Sequence, residues 1–154
     1  NPEDINSARG LSSQIAPEID GAANGFYFYD PATMRSFLSV YRENSRAYRN
    51  YSWYESGGTL VTKSLPFDGR IVSVLSTGEL YVVSGNSAEV RTQSGTLKYS
   101  FPCGRLSFVH ELYDTEDLCY RMYFTNWYAM EQKHSTEVYV DVYMLKTSDL
   151  SRLE

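Results

Sequence analysis

The chain has 154 residues, a net charge of −5, 42% hydrophobic and 15% aromatic content, and 14 of its residues are Tyr. That length fits one domain, the hydrophobic share is too high for a disordered chain, and the acidity argues against a general nucleic-acid binder. No apolar run approaches the roughly 18 residues that a spanning helix needs, so no membrane insertion is expected. Read in chain order, Pro2 to Arg9 suits a short helix: proline stands at its first position, Glu3 and Asp4 at its positive end, and Gly10 after its last turn. Leu11 to Ala23 reads as loop, and Gly25-Phe26-Tyr27-Phe28-Tyr29 as a short aromatic strand. A longer helix is then expected. Asp30 can cap it, Pro31 sits in its first turn, and Met34, Phe37, Leu38 and Tyr41 fall at i, i+3, i+4 and i+7, with an end between Glu43 and Arg46.

From Thr59 the period changes to two. Asp68-Gly69, Thr77-Gly78, Gly85-Asn86 and Ser94-Gly95 mark turns every eight to nine residues. Between them lie strand-like segments at Arg70–Leu75, Glu79–Val83, Ala88–Arg91 and Thr96–Tyr99. Turns this short make consecutive strands antiparallel. Longer strands follow at Leu106–Tyr113, Cys119–Met130 and Val138–Leu145. In the last of these the Val138, Val140, Val142 and Met144 side chains read as the buried face.

The fold class expected is therefore α+β: a mainly antiparallel meander of about seven to nine strands, covered by one or two N-terminal helices. Two alternatives stand beside it. Gly78 to Phe101 looks like a β-propeller blade, although a ring needs at least about four blades of 40–50 residues. The other is a two-sheet sandwich with a peripheral helix.

Signatures of catalysis are sparse. The chain has two His, His110 and His134. His110-Glu111 opens like a zinc-protease motif, but Asp114 stands where the second His should be and the stretch alternates as a strand. No serine elbow, phosphate loop or dinucleotide fingerprint occurs. No cofactor or metal is expected, and the chain reads as non-enzymatic. Cys103 and Cys119 could pair if their strands are neighbours, or stand as separate half-buried thiols. Asn50-Tyr51-Ser52 is a glycosylation sequon.

Aromatic residues mixed with polar ones give contact area, low rotamer cost and hydrogen-bonding tips, the mixture on which sugar rings stack. Two segments have it. One holds Arg49, Tyr51, Trp53 and Tyr54; the other holds Arg121, Asn126, Trp127 and Tyr128. These eight are the candidate glycan-binding residues, against the competing reading that half of such strand aromatics point into the core.

Two stretches carry a family resemblance. Gly78-Glu79-Leu80-Tyr81-Val82-Val83-Ser84-Gly85-Asn86-Ser87, followed by Val90-Arg91-Thr92, resembles part of the head fragment of the rotavirus outer-capsid spike protein. Tyr139-Val140-Asp141-Val142-Tyr143-Met144-Leu145 resembles that head's closing strand. Together they cover about 20 of 154 residues. The resemblance implies a galectin-like β-sandwich, from which the helix expected after Pro31 departs, and hence a divergent group. The chain is read as a single head domain over residues 1–152; Leu153-Glu154 are set aside as a candidate cloning scar, and the other reading, Arg152 as a tryptic end, would suit a head released by trypsin. The function implied is attachment of a virion to cell-surface oligosaccharide, from the outer capsid and joined to the remainder of a larger spike protein. No glycan-contacting residue is carried over from the family. The alternative function is a protein-binding module, either a periplasmic inhibitor or immunity protein or a propeller-like scaffold piece.

Overall fold

The computed structural model describes residues 24–104, 106–131 and 133–150. Among these, eleven strands follow one another: β1 (Asn24–Asp30), β2 (Arg35–Arg42), β3 (Ala47–Ser56), β4 (Thr59–Leu65), β5 (Arg70–Val74), β6 (Leu80–Ser84), β7 (Ser87–Arg91), β8 (Leu97–Pro102), β9 (Ser107–Asp114), β10 (Cys119–Glu131) and β11 (Thr136–Lys146). They form three antiparallel meanders in which neighbours in sequence are neighbours in the sheet: β1 to β4, β5 to β8, and β9 to β11.

The β-rich expectation holds, with more strands than expected. The helix expected from Asp30 to about Arg46 is not formed. Pro31 to Met34 make a turn and Arg35–Arg42 is strand β2. Asp30 does cap backbone and side-chain donors, accepting from the Ala32 amide at 3.0 Å and the Thr33 hydroxyl at 3.1 Å. It thereby closes a turn instead of opening a helix, a use that Asp side chains serve equally well. The turn ends on Met34 at a φ of 57°. Phe37, Leu38, Ser39 and Val40 are all buried, on both faces of the sheet. A run buried on both sides loses its period of two and can then match helical spacing. The helix expected over Pro2 to Arg9, and the loop after it, lie outside the described residues.

The sheets stack face to face as three layers, not the two of a sandwich. On the first side of the middle sheet, Ile71, Leu80 and Val82 pack against Phe37 and Phe28 of the first sheet. On its other side Tyr81, Ala88, Val90 and Phe101 pack against Met122 and Phe124 of the third. Tyr81 lies at the centre of the second interface, stacked on Phe108 at 4.7 Å and tilted against Phe124 at 6.1 Å. Burial pushes its phenol pKa far up. Each fully buried large apolar side chain contributes roughly 1.5–3 kcal/mol. Serial meanders stacked face to face are the plan of a β-propeller. The blade-like segment Gly78–Phe101 supplies most of the middle sheet's strands β6 to β8.

A buried polar knot ties the first sheet to the second. The Ser39 hydroxyl donates to Asn50 Oδ1 at 2.6 Å and accepts from the Ile71 amide at 3.2 Å. Asn50 Nδ2 donates to the carbonyls of Phe67 at 3.0 Å and Gly69 at 2.9 Å. Asn50, the acceptor of the sequon, is 1% exposed. In the folded chain its amide is therefore occupied and no glycan can be placed on it.

The outer face of the third sheet departs from expectation. Register pairs Met144, Val142, Val140 and Val138 with Tyr123, Thr125, Trp127 and Ala129 on one face. Those four β11 side chains are 62%, 65%, 40% and 64% exposed. The core instead takes the opposite face, through Phe108, Met122, Phe124 and Leu145. This sheet carries an apolar stripe on each side, and among the described residues a layer covers only one. Cys103 and Cys119 are free thiols, Cys103 buried.

Candidate functional site

The first sheet ends in two tight connections on the same edge. Gly57 and Gly58, at φ of 59° and 81°, make the two-residue turn between β3 and β4; positive φ at both positions is what a type I′ hairpin requires. The turn after β1 is held by Asp30, which besides its local bonds accepts from Gln93 Nε2, in the connection between β7 and β8, at 2.5 Å. Between these connections lies a cavity of about 550 Å³, lined among others by Tyr29, Arg35, Ser36, Trp53, Tyr54 and Glu55.

The register explains how these meet. Ser36 stands opposite Trp53, and Tyr29 opposite Ser36, across three neighbouring strands. Trp53 is 1% exposed and forms the floor with Leu60 and Tyr51 nearby. Its indole Nε1 is buried and, among the described residues, has no hydrogen-bond partner. Arg35 lays its guanidinium over the Tyr54 ring at 4.5 Å, a cation–π contact that fixes both side chains at the rim. Ser36 is bonded to the Tyr27 hydroxyl at 2.8 Å. The site thus offers aromatic surface, a cation, hydroxyls and one carboxylate in a volume that suits a small ligand.

Of the eight residues expected from sequence, Trp53 and Tyr54 line this cavity. Arg49 is exposed and Tyr51 buried on the same strand, β3. Tyr29, Arg35, Ser36 and Glu55 were not anticipated, because reading residues 31–46 as helix removes β2 from the sheet. The signal that would have found them is the Gly57-Gly58 hairpin, which pins the register of β3.

The other four residues lie on β10 and do not share a face. Alternation puts Asn126 and Tyr128 on the core side and Arg121 and Trp127 on the outer side. Arg121 is committed to the turn before its strand, bonding Asp114 at 2.9 Å and pairing with Asp117. That bond, with the Asp117 and Glu116 amides, holds the Asp114 carboxyl below the ordinary carboxylate range. Tyr128 stacks on Tyr139 at 5.4 Å and 17°. Tyr139 donates to Glu137, which raises its phenol pKa. Trp127 is 61% exposed and stands opposite Val140. The middle sheet separates this cluster from the cavity.

No protein-family model, curated protein or solved structure matches the chain.

Proposed function

We propose that the chain is a non-catalytic carbohydrate-binding domain and that the cavity at the end of the first sheet is its site. The observation that carries this reading is the meeting of Trp53, Tyr54 and Tyr29 with Arg35, Ser36 and Glu55 around one cavity. Aromatic rings stack on the apolar faces of sugars, while cation, hydroxyl and carboxylate bond the sugar's hydroxyls. Among the described lining residues Glu55 is the one carboxylate, and glycoside cleavage uses two. The resemblance to the rotavirus spike head extends the proposal. The ligand is a cell-surface oligosaccharide, and the chain is the receptor-binding part of a larger outer-capsid protein on the virion. Binding of this kind is weak per site and is amplified by many copies.

A glycan array probed with the chain in multivalent form tests the proposal. Binding lost on Tyr54→Ala and on Arg35→Ala, with melting unchanged, supports it; a blank array on multivalent display refutes it. Trp53 is a poor probe on its own, because its burial couples binding to folding.

A second reading, a protein-binding scaffold piece, is favoured by the three serial meanders and the open apolar face of the third. A partner protein that co-purifies stoichiometrically with the chain supports that reading.

A further inference from the structure

The stack of sheets has two outer faces, and they differ. On the first sheet the apolar centre of the outer face is closed, with Leu38, Val40, Tyr51 and Trp53 all buried. On the third sheet it is open: Val138, Val140, Val142, Met144, Trp127 and Leu112 stand on one side, the register pairing Trp127 with Val140 and Arg121 with Leu112. All six are exposed. Together they leave on the order of 600 Å² uncovered, as much as the largest apolar patch of an ordinary monomer.

We propose that this face is the interface of a homodimer, in which the third sheets of two copies pack face to face with β11 antiparallel to its counterpart. Three observations choose a second copy as the occupant. The first is area: two such patches sealed together bury on the order of 1,200 Å², the lower edge of a specific interface. The second is the difference between the two ends of the stack. Head-to-tail stacking would need an open apolar patch on the outer face of the first sheet, and the apolar centre of that face, Leu38, Val40, Tyr51 and Trp53, is already buried, leaving Tyr27, Tyr29 and Arg49 among its exposed side chains. A patch with no apolar complement on the opposite outer face is matched by itself, which gives a closed two-fold contact.

The third observation is charge, and it sets the direction. The central part of the face, from Thr125 to Ala129 and from Val138 to Met144, carries no charged side chain on that side. Lys146 stands at one end, opposite Arg121, whose own charge is met by Asp114 and Asp117. Glu131 stands at the other end, opposite Thr136. Parallel packing would set Glu131 against Glu131; antiparallel packing sets Glu131 of one copy against Lys146 of the other. Two sheets packed this way keep their strands within about 30° of each other, as aligned sandwiches do. The interface uses neither the cavity residues nor β1 to β4, so it stands or falls independently of carbohydrate binding.

Sedimentation velocity on the 154-residue chain, from about 1 to 200 µM, provides the test. The wild type is expected to move from monomer to dimer across that range. Acrylamide quenching of Trp127 should fall as the dimer forms. Val142→Lys, on an exposed strand position, should weaken association at least about tenfold without changing circular dichroism or melting. Glu131→Lys and Lys146→Glu should each weaken it, and the double variant should restore it. A wild type that stays monomeric overturns the proposal and leaves the face to a different partner. A dimer that survives Val142→Lys with Trp127 still open also overturns it. A charge swap that restores nothing overturns the antiparallel arrangement.

Discussion

The Ser39–Asn50 knot makes a quantitative claim about what joins the first two layers. Replacing Asn50 by Ala removes three hydrogen bonds: one from Ser39 and those to the Phe67 and Gly69 carbonyls. The Ser39 oxygen still accepts from the Ile71 amide, but its hydroxyl proton loses its acceptor. The Gly69 carbonyl loses its partner in a buried place and the Phe67 carbonyl in a half-buried one. An unsatisfied buried polar group costs about 1–3 kcal/mol, and the emptied volume adds to it. The expected loss is about 3–5 kcal/mol, a large part of the stability of an ordinary domain. For a chain of this size it lowers the melting temperature by about 10 °C or more. Equilibrium urea unfolding, followed by circular dichroism and by the fluorescence of the buried Trp53, measures it. Asn50→Asp sharpens the test. It keeps the acceptor for Ser39 but sets the other carboxylate oxygen against two carbonyls, so burial and repulsion from those acceptors raise its pKa in the fold. A group with a raised folded pKa supports the fold below its unfolded value and ceases to do so as pH rises. The aspartate variant should therefore recover stability as pH falls into the carboxylate range, where the alanine variant does not. A loss below about 1 kcal/mol for Asn50→Ala, or identical pH profiles for the two variants, refutes the idea that this knot fastens the layers.

Three further outcomes follow from other parts of the structure. A Cβ on Gly95 would sit 2.5 Å from Pro66 Cδ at a φ of +97°, so Gly95→Ala should cost at least about 1–3 kcal/mol by overpacking, read as a shifted urea midpoint. The depressed Asp114 carboxyl gives a stabilising contribution that is present above the ordinary carboxylate pKa and is lost as pH falls through its lower folded value. Asp114→Asn should remove that acid-side limb from the melting-versus-pH curve and leave the neutral-to-alkaline part parallel to wild type. In dilute monomer, Trp53→Phe should leave a tryptophan that acrylamide quenches strongly, whereas Trp127→Phe should leave one that it hardly reaches, in keeping with 61% and 1% exposure.

The middle of the chain was the most legible in sequence. Each of the four glycine turns from Asp68-Gly69 to Ser94-Gly95 falls between successive strands from β4 to β8; Gly78, Gly85 and Gly95 take the positive φ that residue type announces directly, whereas Gly69 is required by close approach, a Cβ there falling 2.8 Å from Val82 Cγ1. The first sheet was misread for an energetic reason. Phe37 to Val40 are buried on both faces, and periodicity cannot separate such a run from a helix when Asp30 and Pro31 supply a helix-like start. The third sheet's alternation was legible but its inward face was not. Phe108, Met122 and Phe124 compete with the Val138 to Met144 stripe, and only the position of the middle sheet decides between them. For the candidate site, the importance of Trp53 and Tyr54 could be read from residue type. Their neighbours Arg35 and Ser36 come from another strand, and strand pairing is not written locally.

The middle layer has a consequence for how the gene can change. In β6, Leu80, Tyr81 and Val82 are consecutive and each at most 1% exposed, since one neighbour faces the first sheet and the next faces the third. Most strands have a wet side on which neutral substitutions accumulate at every second codon. This one has none over those three residues, so drift there must come as compensated pairs with Phe37 on one side or Phe124 on the other. Slow change in β6 is then expected from its place in the stack and not from any ligand, so it is no guide to where the site lies.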